Sequence, residues 1–295
     1  MLKNIADSIK AQISKSVLNQ EAITKLALTA FFAEGHVLLT GPTGIGKTEW
    51  TKGMAKALGM ACNRIRFAEG VTQQDVLGTK GTDELKRGPL FTQIFLAEGV
   101  HNASPKIKSI LMDAMEEQTA TIDGDGYFLP EPFFMVGTLE ENQALEPNLA
   151  DRFMLKLQVN YPGVAAEKQI LLMNHEGIVK HGQQAVSAES IALAKQEVQD
   201  VAVEDAIFNN IISIVETTRR VAAVKSGASP RGSIALLKAS KAYAAISGRD
   251  YVIMEDVQHL AVPVLRHRIT LKPDAMQEGI QAERIIESIL TGRRG

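Results

Sequence analysis

The chain has little cysteine, little aromatic character and almost no net charge. Among its 295 residues Cys62 is the one cysteine, so no intrachain disulfide can form, and no Cys/His group has the spacing of a structural zinc site. Cys62 itself reads as a small buried residue. Phe, Trp and Tyr make up 5% of the sequence, and no basic stripe interleaved with aromatics is evident, so nucleic acid is not an expected partner. A formal charge of -2, from 32 basic and 34 acidic residues, leaves no global field directed at nucleic acid or an anionic membrane. No apolar run reaches the ~18 residues of a spanning helix, and Met1 to Asp7 lack the apolar segment of a secretory signal. A cytoplasmic location without membrane insertion is the expectation.

What is present is an ordinary globular balance, 45% hydrophobic and 22% charged, in a chain long enough for one large or two unequal domains. From Gly35 to about Tyr161, short apolar runs alternate with helix-like stretches. The runs Val37-Leu38-Leu39, Ile94 to Ala97 and Phe133 to Val136 are apolar at every position, which suggests parallel strands buried on both faces in an α/β layer structure. Beyond Tyr161-Pro162-Gly163 a spacing of three and four takes over near residues 165–179, 187–198, 204–222, 231–247, 254–265 and 276–291, which predicts a helical bundle. The division is therefore an α/β domain over 1–162 and a helical domain over 163–295. Ile23, Leu26, Ala27, Ala30 and Phe31 mark one face of a helix before the first strand, with Asn19-Gln20-Glu21 near its start. Thr119 to Leu129 alternates about a Gly-rich turn, the pattern of a hairpin able to project from the sheet, with Tyr127 on its surface.

The strongest chemical signal is Gly41-Pro42-Thr43-Gly44-Ile45-Gly46-Lys47-Thr48, which meets G-x4-G-K-[ST] at every specified position. It follows an apolar strand and precedes a helix-like run from Trp50 to Leu58. Backbone amides there converge on phosphate at a helix N-terminus, Lys47 reaches the β- and γ-phosphates, and the Thr48 hydroxyl ligates magnesium. A nucleoside triphosphate with Mg2+ is the expected ligand pair.

Other segments separate the many phosphate-loop proteins from one another. Arg87-Gly88-Pro89-Leu90-Phe91 leads into Ile94 to Glu98, and Pro130-Glu131-Pro132-Phe133-Phe134 into the next strand; Leu149-Ala150-Asp151-Arg152-Phe153 and Gly227-Ala228-Ser229-Pro230-Arg231 follow. With Gly35-His36-Val37-Leu38-Leu39, this ordered set resembles the MoxR family of AAA+ ATPases from about Val17 to Ile289. The resemblance implies a P-loop AAA+ core, its parallel sheet flanked by helices, followed by an all-helical lid. It also implies nucleotide between core and lid, and a homo-oligomeric ring, usually a hexamer. Arg231 matches the sensor-2 arginine that reaches from the lid to the γ-phosphate, and Ser229-Pro230 are good starters for its helix. Arg152 matches an arginine that stabilises phosphate charge in a neighbouring subunit; an intrachain pair with Asp151 is the structural alternative. Family members often act with protein partners that carry a von Willebrand factor A domain.

The pattern also breaks. Where the family has Asp-Glu after the strand ending at Ala97, this chain has Glu98-Gly99. Glu98 keeps a carboxylate for the metal, but Gly99 offers nothing to polarise water, and a positioned base is worth about 10^2 to 10^4 in rate. The polar sensor-1 position falls on Thr138-Leu139-Glu140-Glu141, where a carboxylate facing the γ-phosphate repels it unless bridged or protonated. Glu140 is a candidate displaced base, against a solvated loop acid as the plainer reading; His101 is a lesser candidate, and Asn102 stands where the family usually has Arg. His36 and the lone Trp50 read as packing residues. Two functions follow: an ATPase that remodels or matures a partner protein with weakened turnover, or a hydrolysis-deficient nucleotide-binding assembly subunit. A small-molecule phosphotransferase is disfavoured by the long lid and hairpin, and a DNA motor by the charge distribution.

Overall fold

A strand covered on both faces needs apolar side chains at successive positions, and in the computed structural model these runs form the centre of a five-stranded parallel sheet. The structure describes residues 1–15, 17, 20–81, 85–175 and 182–292. The strands are Val37–Thr40 (β1), Cys62–Arg66 (β2), Ile94–Glu98 (β3), Phe134–Leu139 (β4) and Leu155–Gln158 (β5), in spatial order β2-β3-β4-β1-β5. Alternation divides each strand between two cores: Val37 and Leu39 face one, Leu38 the other; Ile94 and Leu96 face one, Phe95 and Ala97 the other.

The first core is covered by Leu2–Ile13 (α1), Glu21–Phe32 (α2), Lys47–Leu58 (α3) and the C-terminal helices from Ala188 onward, the second by Pro105–Glu117 (α4). The C-terminal helices are Val164–His175 (α5), Ala188–Gln199 (α6), Asp205–Arg220 (α7), Pro230–Ile246 (α8), Met254–Leu265 (α9) and Ala282–Leu290 (α10). Helices α1 and α2 pack on α8, so one apolar core runs across the 162/163 division. Positions 176–179 of the first expected lid helix, and Asn19, lie outside the described residues. The helix expected over 276–291 is two pieces, Pro273–Gln277 and α10, interrupted at Gly279.

The hairpin forms from Thr119–Ile122 and Asp125–Phe128, and its Asp125 pairs with Lys80 of a second antiparallel pair, Gly78–Lys80 with Leu85–Arg87. Trp50 is a packing residue: buried, its indole N–H donates to Thr24 Oγ1 at 2.9 Å. Cys62, at the start of the edge strand β2, is only half-buried; among the described residues no strand pairs with β2 on its outer side. Among the described residues no helix is long and apolar enough to cross a membrane.

Candidate functional site

The chain leaves β1 through Gly41 to Gly46 and enters α3 at Lys47. Gly46 caps that helix with φ 94°, a left-handed conformation that costs other residues about 1–2 kcal/mol, and so turns the free amides of the first helical turn toward the loop. The Lys47 ammonium donates to the carbonyls of Gly41 at 2.7 Å and Pro42 at 2.8 Å. Burial lowers the Lys47 pKa, and the carboxylates of Glu140, Glu98 and Glu141 oppose that shift.

Next to Lys47, the Thr48 hydroxyl donates to Glu98 Oε1 at the end of β3, while Glu98 Oε2 faces Arg64 Nε at 3.1 Å. The Gly99 amide donates to Thr138 Oγ1 on β4 at 3.1 Å, with φ 62° at Gly99. Thr48, Glu98, Gly99 and Thr138 wall a cavity of about 440 Å³ at the C-terminal edge of the sheet, together with Arg66, Asn102 and Glu140. Open α/β sheets take ligands at that edge. The donor set fits a magnesium nucleotide: hydroxyl and carboxylate are hard oxygen ligands, only two of them come from protein, and magnesium retains waters and phosphate oxygens for the remainder. Glu140 stands on this wall with an exposed side chain, near enough for its charge to act on Lys47. His101 lies in the turn Val100–Asn102 and is not among the walls found in the described residues.

Arg152 and Arg231 lie elsewhere. His36, just before β1, is buried; its Nε2 bonds the Met115 carbonyl at 3.2 Å, and its Nδ1 accepts the Met135 amide at 3.1 Å. The Met154 amide donates to the His36 carbonyl at 2.8 Å, so the C-terminal end of α4 and the Asp151-Arg152-Phe153 turn both sit at the N-terminal edge of the sheet. There Glu116 Oε1 takes both Arg152 and Arg231, the latter at 2.5 Å. Arg231 is in the first turn of α8 as its sequence context predicts, with Ser229 as cap, but the structure does not bring it to the Lys47 cavity. The reason is local: Ser229 Oγ donates to Asp151 Oδ2 at 3.2 Å and Arg268 Nε to Asp151 Oδ1 at 2.8 Å, which ties the start of α8 to the opposite edge. Asp151 is therefore not the partner of Arg152.

This arrangement matches known proteins along its length. The model of the ATPase family associated with various cellular activities matches residues 36–155, and the AAA lid domain model matches 216–289. Chaperone MoxR1 of Mycobacterium tuberculosis is 29% identical over 95% of this chain and 79% of its own length; Protein MoxR of Methylorubrum extorquens is 25% identical over 92% and 89%. The chain belongs to the MoxR family of AAA+ ATPases. YeaC of Bacillus subtilis is 37% identical over 95% of this MoxR-family chain and 91% of its own length. The crystal structure of an ATPase candidate from Cytophaga hutchinsonii superposes with a TM-score of 0.92 at 29% identity, covering 98% of this chain and 94% of that one.

Four residues at these sites were not singled out by sequence reasoning: Arg64, Arg66, Glu116 and Arg268. The first two belong to β2, whose exposed Asn63, Arg64 and Arg66 hide its strand character. The other two act through tertiary contacts that no local spacing reports.

Proposed function

We propose that this chain binds magnesium-ATP at its phosphate loop, assembles into a homo-oligomeric ring, and couples nucleotide binding and slow hydrolysis to the remodelling or maturation of a partner protein in the cytoplasm. The observation that carries this reading is the placement of Lys47 and the Arg152/Arg231 pair at opposite edges of one sheet. Within one copy the arginines lie away from its own phosphate loop. A head-to-tail arrangement of copies, closed into a ring, joins the two edges, and a hexamer is the size the family suggests.

In this reading the backbone N–H groups of Gly41 and of Thr43 to Gly46, with Pro42, Thr43 and Ile45 shaping the loop, surround phosphate, and Lys47 exchanges two carbonyl acceptors for phosphate oxygens. Thr48 and Glu98 hold the magnesium, which supplies charge neutralisation at the transferred phosphoryl group. Arg152 and Arg231, always charged and planar, serve the nucleotide of the adjoining copy and are released from Glu116 to do so. Gly99 has no side chain to orient water, so turnover is slow, with Glu140 as the carboxylate left to act as base. The chaperone description of the mycobacterial relative supports a protein partner, one bearing a von Willebrand factor A domain by the family's habit. Gly99 also favours a second reading, a nucleotide-gated assembly subunit without turnover.

Mixing tests the edge-to-edge geometry. Lys47→Ala subunits keep their arginines, and Arg152→Ala subunits keep their phosphate loop. An equal mixture is expected to turn over ATP faster than either variant alone. No recovery on mixing would place Arg152 outside any shared site.

A further inference from the structure

β2 is an edge strand, paired among the described residues only with β3, and the register sets Arg64 opposite Leu96 and Arg66 opposite Glu98. Neighbours across a parallel pair share a face, so both arginines lie on the face where α3 packs and where Thr48 meets Glu98. Arg64 is held by Glu98. Arg66 is the last residue of its strand, exposed at the C-terminal edge, and lines the cavity; among the described residues no carboxylate pairs with it.

The two sides of this cavity differ in charge. One is the loop, with amides and Lys47. The other is built by Glu98, Gly99, Thr138 and Glu140, and a terminal phosphate seated beyond the loop faces that side. Glu140 repels such a phosphate, and one cation on the same side offsets it. We infer that Arg66 contacts the terminal phosphate of a bound nucleoside triphosphate within its own copy, offsets Glu140, and thereby sets the preference for triphosphate over diphosphate. A guanidinium suits this place because it stays charged and offers several donors in one plane. The inference rests on the cavity being the nucleotide site, but not on ring formation.

Titration calorimetry with magnesium-ATP and with magnesium-ADP tests it on the full chain and on Arg66→Ala, Arg66→Lys and Arg66→Ala/Glu140→Gln. Arg66→Ala is expected to weaken ATP about tenfold or more while ADP changes by less than about twofold. Arg66→Lys retains part of the ATP affinity, and adding Glu140→Gln to Arg66→Ala recovers part of the loss. An unchanged ATP-to-ADP ratio in Arg66→Ala, with both nucleotides still bound by the unsubstituted chain, overturns the Arg66 assignment alone. Failure of the unsubstituted chain to bind either nucleotide overturns the site reading and this assignment with it.

Discussion

Arg268 of the lid closes on Asp151 of the core, Nε to Oδ1 at 2.8 Å, with its side chain only 3% exposed. The same guanidinium donates to the carbonyls of Met154 at 3.1 Å and Phe153 at 2.8 Å, so one buried cation satisfies the Asp-Arg-Phe turn that carries Arg152. Burial lowers its pKa and Asp151 opposes that shift. Removing one partner of a buried pair leaves the other charge uncompensated. Arg268→Ala is expected to cost about 3 kcal/mol, read as a lower urea midpoint, and Asp151→Ala added to it to cost far less than the sum of the two. Simple additivity would contradict the pairing.

His36 gives the fold a pH dependence. Burial lowers its pKa from 6.5 to about 4, with the Met115 bond opposing. Between those values the unfolded chain binds more protons than the folded one, so stability rises with pH: the contribution is complete above about pH 6.5 and lost as pH falls toward 4. The shift corresponds to roughly 3 kcal/mol. Buried His267, lowered further by Arg268, acts in the same direction. Denaturant titrations at about pH 7.5 and about pH 5 are expected to show a smaller difference for His36→Gln than for the unsubstituted chain. Equal differences would remove His36 from the account.

Gly99 is a conformational position as well as a chemical one. A Cβ built there meets Asn102 Nδ2 at 3.3 Å and the Phe67 carbonyl at 3.4 Å, and φ is 62°. Gly99→Glu is therefore expected to cost about 1 kcal/mol in stability while raising ATP turnover about tenfold or more. Turnover that stays level in a folded variant would show that a carboxylate at residue 99 is not the missing element.

Glu140 is separable from these effects, since its exposed side chain leaves the fold alone. As the displaced base it predicts that Glu140→Gln lowers turnover by about 10^2 without weakening ATP binding. An unchanged rate would return Glu140 to the solvated loop.

The elements most legible in the sequence are those whose own residues carry the cause. β1, β3 and β4 are apolar on both faces, and the phosphate loop is a spacing of glycines before Lys47, so both announce themselves. α1 carries its own signal in Leu2, Ile5, Ile9 and Ile13, buried at helical spacing. β2 is illegible because an edge strand can carry Asn63, Arg64 and Arg66 outward. The helical position of Arg231 follows from Ser229-Pro230, yet which edge of the sheet it faces depends on Asp151, Arg268 and Glu116. Those contacts join residues that lie far apart in sequence, and no local pattern records them.

The central claim, a magnesium nucleotide held by Lys47, Thr48 and Glu98, is tested most directly by calorimetric titration of the chain and of Lys47→Ala with magnesium-ATP. The account predicts saturable binding that Lys47→Ala weakens at least about tenfold. Binding that is equal in both proteins, or absent from the unsubstituted chain, would contradict it.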